Sequence, residues 1–234
     1  MKPGFKSTLI KGLSIIKVNI LAIIIVVLLE CFSYFIFSFI LSLLFKFFIH
    51  TSSSIGIVLL PIVNNLISIL IGIFFFSLMT IIILTKESQQ QVSYIKQIQY
   101  VLTRLIFMTL SLFLLFLIIF IGSILLIIPG IIFGIKFSQV LYFCLIDGEN
   151  PINSLRMSAK VTKGKYLQLI GLNMVFISLT GILMLPLILL LFPIYSKFPS
   201  LIMQVLTSFS GKILVVFYYV IWKTLNSHNE ENAI

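Results

Sequence analysis

The stretch from Leu105 to Pro151 reads LIFMTLSLFLLFLIIFIGSILLIIPGIIFGIKFSQVLYFCLIDGENP. Two apolar runs, Leu105–Ile128 and Ile131–Ile146, meet at Pro129-Gly130. The second run ends in Asp147-Gly148-Glu149-Asn150-Pro151, and a basic stretch carrying Arg156, Lys160, Lys163 and Lys165 follows. A helix needs about 20 apolar residues to cross a bilayer; the first run meets that and the second sits at the short end of the range. A barrel strand would instead alternate apolar with polar residues over about ten positions. Proline and glycine side by side have turn chemistry. The stretch therefore reads as a membrane hairpin with a tight outer turn, followed by a cationic surface segment.

Composition extends this reading to the whole chain. Hydrophobic residues make up 60% and charged ones 9%, where a soluble domain keeps about a quarter of its residues charged. Too little polar surface exists to cover a globule in water. In hydrocarbon, unpaired backbone groups are costly, so continuously apolar spans must be helices. The 234 residues suit one bundle, and no region is long or polar enough for a second, water-soluble domain. The net charge of +10 would suit a nucleic-acid partner. The basic residues, however, stand at the ends of apolar runs, which is the positive-inside pattern of membrane proteins, so no nucleic-acid partner is expected. Cys31 and Cys144 fall within apolar runs, where a thiol behaves as a small hydrophobe. They make neither a metal spacing nor a disulfide framework; no metal and no cofactor are expected.

Six spans follow, at about 18–45, 55–84, 105–128, 131–146, 167–192 and 201–222. The charge census tests whether the short fourth run crosses. With six spans, twelve of the sixteen Lys and Arg residues face the cytoplasm, two (Lys46 and Lys197) face the other side, and Lys136 and Lys212 lie within spans. With five spans the census is about 8 against 6, so six is preferred. Lys2, Lys6, Lys11 and Lys17 precede the first run as in a signal peptide. That run is far longer than a secretory apolar region and no cleavage site follows, so it reads as an uncleaved span. The expected fold is an all-α polytopic membrane helix bundle over residues 1–225, with both termini cytoplasmic and a disordered tail over 226–234.

Two polar segments on the cytoplasmic side read as interfacial helices lying in the headgroup plane. Thr85–Arg104 contains Gln89, Gln90 and Gln91, then Val92, Ile95, Ile98 and Leu102 at helical spacing. Asn150–Lys165 opens with a capping Asn150 and with Pro151 at the first helical position. Ile152, Leu155 and Ala159 fall on one face of it, and Asn153, Arg156, Lys160 and Lys163 on another. Gly164 can close it.

Candidate functional residues are few. Gly130, Gly134 and Ser138 recur every four residues, a small-residue groove that suits close helix packing and, as the alternative, a hinge or pore lining. Glu30, Lys136 and Lys212 are charges within apolar runs, which mark pathways or relays when they are not structural pairs. Lys136 could snorkel to the outer boundary; Glu30 and Lys212 are expected to pair. Arg156, Lys160, Lys163 and Lys165 can set topology, bind anionic headgroups, or do both. His50 and His228 read as solvated surface residues. No GxxxxGK[ST] loop, HExxH or GxSxG motif occurs, and the chain has only six carboxylates, two of them Glu230 and Glu231 near its end.

The residues Leu126-Ile-Ile-Pro-Gly-Ile-Ile-Phe-Gly-Ile-Lys136, then Asp147-Gly-Glu-Asn-Pro and Asn153-Ser-Leu-Arg-Met-Ser-Ala-Lys-Val-Thr-Lys-Gly164, resemble the YciC-like group of small bacterial inner-membrane proteins. More distantly, they are similar to the membrane domain that accompanies some glycerophosphodiester phosphodiesterases. The match covers about Leu126 to Leu169. It implies a bacterial cytoplasmic membrane and carries no catalytic residues over, because in the joined proteins the chemistry lies in a soluble partner domain.

The first functional expectation is a non-enzymatic bundle that organises lipid or a partner protein; the expected partners are membrane lipids, anionic headgroups among them, and a membrane protein or a second copy of the chain. The alternative is a small transporter or channel using Glu30, Lys136 and Lys212, for which a water-accessible cavity at Glu30 would speak. A membrane enzyme using Asp147 and Glu149 ranks last, since those two residues serve first to end the fourth span.

Overall fold

The computed structural model describes residues 5–49, 54–90, 92–125, 127–195 and 199–231. Among them the regular elements are all helices: α1 (Phe5–Ile49), α2 (Ser54–Glu87), α3 (Tyr94–Leu125), α4 (Ile127–Lys136), α5 (Val140–Leu145), α6 (Pro151–Thr162), α7 (Tyr166–Tyr195) and α8 (Pro199–Glu231). Six segments are long and apolar enough to cross a membrane: Ser7–Leu43, Ile62–Glu87, Tyr94–Ile124, Ile128–Leu145, Tyr166–Pro186 and Ile202–Asn226. The protein is an all-α, multi-pass membrane bundle. Lys2, His50 and Lys197 lie outside the described residues, as does the chain from 232 onward.

Several helices run past their apolar cores. α1 starts at Phe5, well before Val18, with Lys11 and Lys17 exposed and Thr8, Gly12, Ile15 and Asn19 on its buried side. α8 continues to Glu231, so the tail expected to be disordered is helical up to that residue. The first interfacial helix is not a separate element either. α2 runs to Glu87, Gln89 takes a left-handed φ of +54° in the turn, and α3 runs unbroken from Tyr94 to Leu125. Nothing between Arg104 and Leu105 interrupts a helix, so the polar stretch and the third span fuse.

The α3–α4 hairpin also differs from its expected form. Pro129 and Gly130 lie in the first turn of α4 rather than forming the reversal. A proline is harmless there because the first-turn N–H groups have no partner within the helix. Gly130 serves packing instead: a Cβ on it would stand 3.1 Å from the Ser123 Cα, and one on Gly122 would stand 2.6 Å from the Phe133 ring.

The fourth membrane segment is broken. α4 stops at Lys136, Phe137–Gln139 form a turn, and α5 resumes at Val140. α5 lies at the centre of the bundle with Val140, Tyr142, Phe143, Cys144 and Leu145 buried. The Tyr142 hydroxyl donates to Val215 O at 2.9 Å, its ring meets Phe76 edge-on, and Phe143 meets Trp222. From α3, Tyr100 OH donates to Leu145 O at 2.6 Å and Arg104 Nη1 to Gly148 O at 2.8 Å. Gly148 has φ +71°, and a Cβ there would stand 2.6 Å from Arg104 Nη2, so this junction requires glycine.

α6 completes the break. Asn150 caps it, accepting the Asn153 N–H at 2.9 Å, and Gly164 follows its end at φ +75°. Its inward face is Ser154, Ser158, Val161 and Thr162, while Ile152 is exposed. A largely polar face is therefore the one packed inward. The reason lies in the backbone of the fourth segment. Val140 N–H, which an unbroken helix would give to Lys136 O, goes to Phe137 O. Ser158 and Thr162 donate their hydroxyls to Lys136 O at 3.0 Å each, and the Ser158 oxygen accepts the Gln139 N–H at 3.2 Å. Buried backbone groups must be paired, and α6 supplies the pairs. This second predicted interfacial helix is a capping element of the core with one face left outside.

Candidate functional site

Three helices each place a polar stripe on one side of the bundle. α1 contributes Glu30 and Tyr34, α2 contributes Asn64, Ser68 and Gly72, and α8 contributes Gln204, Ser208 and Lys212. All these spacings are four residues, which keeps side chains on one helix face. The stripes converge. Lys212 Nζ stands 2.8 Å from Glu30 Oε2, with side-chain exposures of 5% and 13%. The Ser208 hydroxyl donates to the same carboxylate oxygen, and Asn64 Nδ2 donates to Tyr34 OH at 3.1 Å. The expected Glu30–Lys212 pair is thus formed. An ion pair inside membrane segments is tolerable because each charge meets the other and a hydroxyl assists.

Beside the pair lies a cavity of about 240 Å³, lined by Glu30, Tyr34, Ser68, Gln204, Thr207 and Ser208, with Ile71 and Gly72 behind. A Cβ on Gly72 would meet nothing within 4 Å, so glycine here leaves open space rather than allowing helices to touch. Cys31, next in sequence to Glu30, is half-buried, and Cys144 is buried within α5; both are free thiols.

The other sequence candidates sit elsewhere. Lys136 ends α4 at the break, not at the outer boundary, with its ammonium over the Phe137 ring at 5.3 Å. A Cβ on Gly134 would make only ordinary contact, 3.8 Å from Ile119, and Ser138 lies in the turn, accepting from Gln139 Nε2 at 3.3 Å. Arg156, Lys160 and Lys163 are exposed on the outer face of α6. Lys165 is half-buried and lines a narrow crevice with Thr8, Gln168 and Thr224. Glu149 accepts from Asn153 Nδ2 at 3.2 Å at the start of α6. No group of three His, Cys, Asp or Glu side chains suited to a metal ion occurs among the described residues.

A second ion pair was not singled out in the sequence. Lys223 Nζ stands 2.5 Å from Glu87 Oε2, and the Tyr219 hydroxyl donates to that oxygen at 2.7 Å. Its signal was positional: Glu87 ends α2, and Lys223 lies near the end of the membrane segment in α8.

Compared with known proteins, the chain matches no family, no curated protein and no solved structure.

Proposed function

We propose that this chain is a multi-pass protein of a bacterial cytoplasmic membrane, with both termini in the cytoplasm, that passes a small polar solute or ion by way of the cavity at Glu30. The cavity itself carries the reading. Protein interiors are close-packed, and a void between helices is normally filled by side chains. Here a cleft of about 240 Å³, lined by six polar side chains together with Ile71 and Gly72, lies open beside the buried ion pair within membrane segments. A purely structural ion pair needs no such space. The charge asymmetry of the flanks supports the orientation, and the resemblance of residues 126–169 supports the membrane. No catalytic step is proposed.

The test is water access. Thr207→Cys, made with Cys31→Ser, is exposed to a membrane-impermeant thiol reagent in sealed vesicles. We expect modification at least about tenfold faster than for Leu21→Cys, which faces outward from α1 at 71% exposure. Adding Gly72→Phe, whose side chain enters open space, should slow it again. Equal rates at residues 207 and 21 would mean that lipid fills the cavity, and the transport reading would fall.

A specific observation also favours lipid organisation. Arg156, Lys160 and Lys163 form an exposed cationic row on an element whose other face is locked into the core. Each is worth roughly 1 kcal/mol near an anionic leaflet. Reversing all three to Glu should lower retention of phosphatidylglycerol in nanodiscs about a hundredfold while leaving thermal unfolding unchanged. Unchanged retention in the folded triple variant would reduce the row to a topology signal.

A further inference from the structure

A second polar cavity, of about 320 Å³, opens at the other end of the α2–α8 seam, lined by Leu84, Glu87, Ser88, Tyr219, Trp222, Lys223 and Asn226. Its chemistry is dipolar. Glu87 Oε2 is taken by Tyr219 and Lys223, which leaves Oε1 as an acceptor. Lys223 is 43% exposed at its side chain and keeps two further N–H donors. Trp222, 7% exposed, supplies an aromatic wall. Its ring stacks with Tyr219 at 6.0 Å. Glu87 ends α2, and the chain turns polar after Trp222 in α8, so the cavity stands where the apolar stretches of both helices end.

We infer that this cavity seats the headgroup of a zwitterionic phospholipid bearing a primary ammonium, phosphoethanolamine in type. A lone anion would meet the charge of Glu87, and a lone cation that of Lys223. A group carrying both signs on a short link meets both without breaking the existing pair. The phosphate accepts from Lys223, and the ammonium donates to Glu87 Oε1. A trimethylammonium group has no N–H to give, so choline lipids fit less well. The position at the hydrocarbon boundary leaves the acyl chains in the bilayer, which selects a lipid over a free zwitterion. The inference is independent of transport through the cavity at Glu30.

Native mass spectrometry from nanodiscs holding equal phosphatidylethanolamine, phosphatidylglycerol and phosphatidylcholine tests it on the full chain. The expected result is one retained phosphatidylethanolamine, favoured about tenfold over each other lipid. Glu87→Gln should remove the preference over phosphatidylcholine. Lys223→Met should lower retention about tenfold; thermal unfolding of each variant confirms that it is folded. Anionic lipid held by the α6 row is told apart by its indifference to Glu87→Gln. Water-soluble glycerophosphoethanolamine, added at matched concentration, should not displace the lipid. Equal retention of all three lipids, no retained lipid, wild-type retention in both folded variants, or displacement by the soluble headgroup would each overturn the assignment.

Discussion

Replacing Lys212 with Met should destabilise the folded bundle by about 3–5 kcal/mol, the range seen when one partner of a buried ion pair is removed. Lys212 is 4% exposed, and its ammonium lies 2.8 Å from Glu30. Without it, Glu30 is left with a single hydroxyl donor, Ser208. Glu30→Gln should cost a similar amount by orphaning Lys212. The double variant Glu30→Gln/Lys212→Met should be more stable than either single one, since neither charge is then left uncompensated. Unfolding of the purified protein by titrating a denaturing detergent against a mild one gives all three values. If the single losses simply add in the double variant, the pair is not an energetic unit.

The second large effect is expected at α6. Ser158→Ala with Thr162→Val removes both donors to Lys136 O and the acceptor for Gln139 N–H. Two buried backbone groups are left unpaired at roughly 1–3 kcal/mol each, so the loss should be roughly 2–6 kcal/mol. Ser158→Thr keeps the hydroxyl and should recover most of that cost at residue 158. Hydrogen exchange provides a local check: the amides of Gln139 and Val140 should lose protection before those of α8. An unchanged exchange rate at Gln139 would show that the turn does not depend on these hydroxyls.

The apolar runs were legible because lipid imposes them: a span cannot be much shorter than the bilayer, and its backbone must be helical. What the runs hid was which face of each helix points inward. In α3 Ile95, Ile98 and Leu102 are exposed while Gln97 and Val101 are buried. In α6 Ile152 is exposed and Ser154, Ser158 and Thr162 are buried. Apolar periodicity locates a core only when the surroundings are water. In a membrane protein the outside is apolar as well, so the informative periodicity is that of small and polar residues. Asn64, Ser68 and Gly72 and Gln204, Ser208 and Lys212 carried that signal at spacings of four. Glu30 and Lys212 were legible individually because charge in an apolar run is rare. Their neighbours were not, because a lone Ser or Gln in such a run is common. The break at Phe137–Gln139 had no local signature, since the groups that make it tolerable lie about twenty positions later in the chain.

That distance bears on how the molecule is made. A chain emerges from the ribosome N-terminus first, so Ile127–Leu145 is synthesised while the residues that cap it are still unborn. Until Ser158 and Thr162 appear, the broken form of the fourth segment carries a carbonyl and an N–H that hydrocarbon cannot satisfy. Its stable residence in the bilayer therefore begins when α6 is complete rather than when its own last residue emerges. In the interval the insertion machinery, or the watery edge of the membrane, must shelter it. The hairpin and the helix after it are one unit of biogenesis, and a stall or truncation between Leu145 and Ser158 should leave the fourth segment outside the membrane it was built to cross.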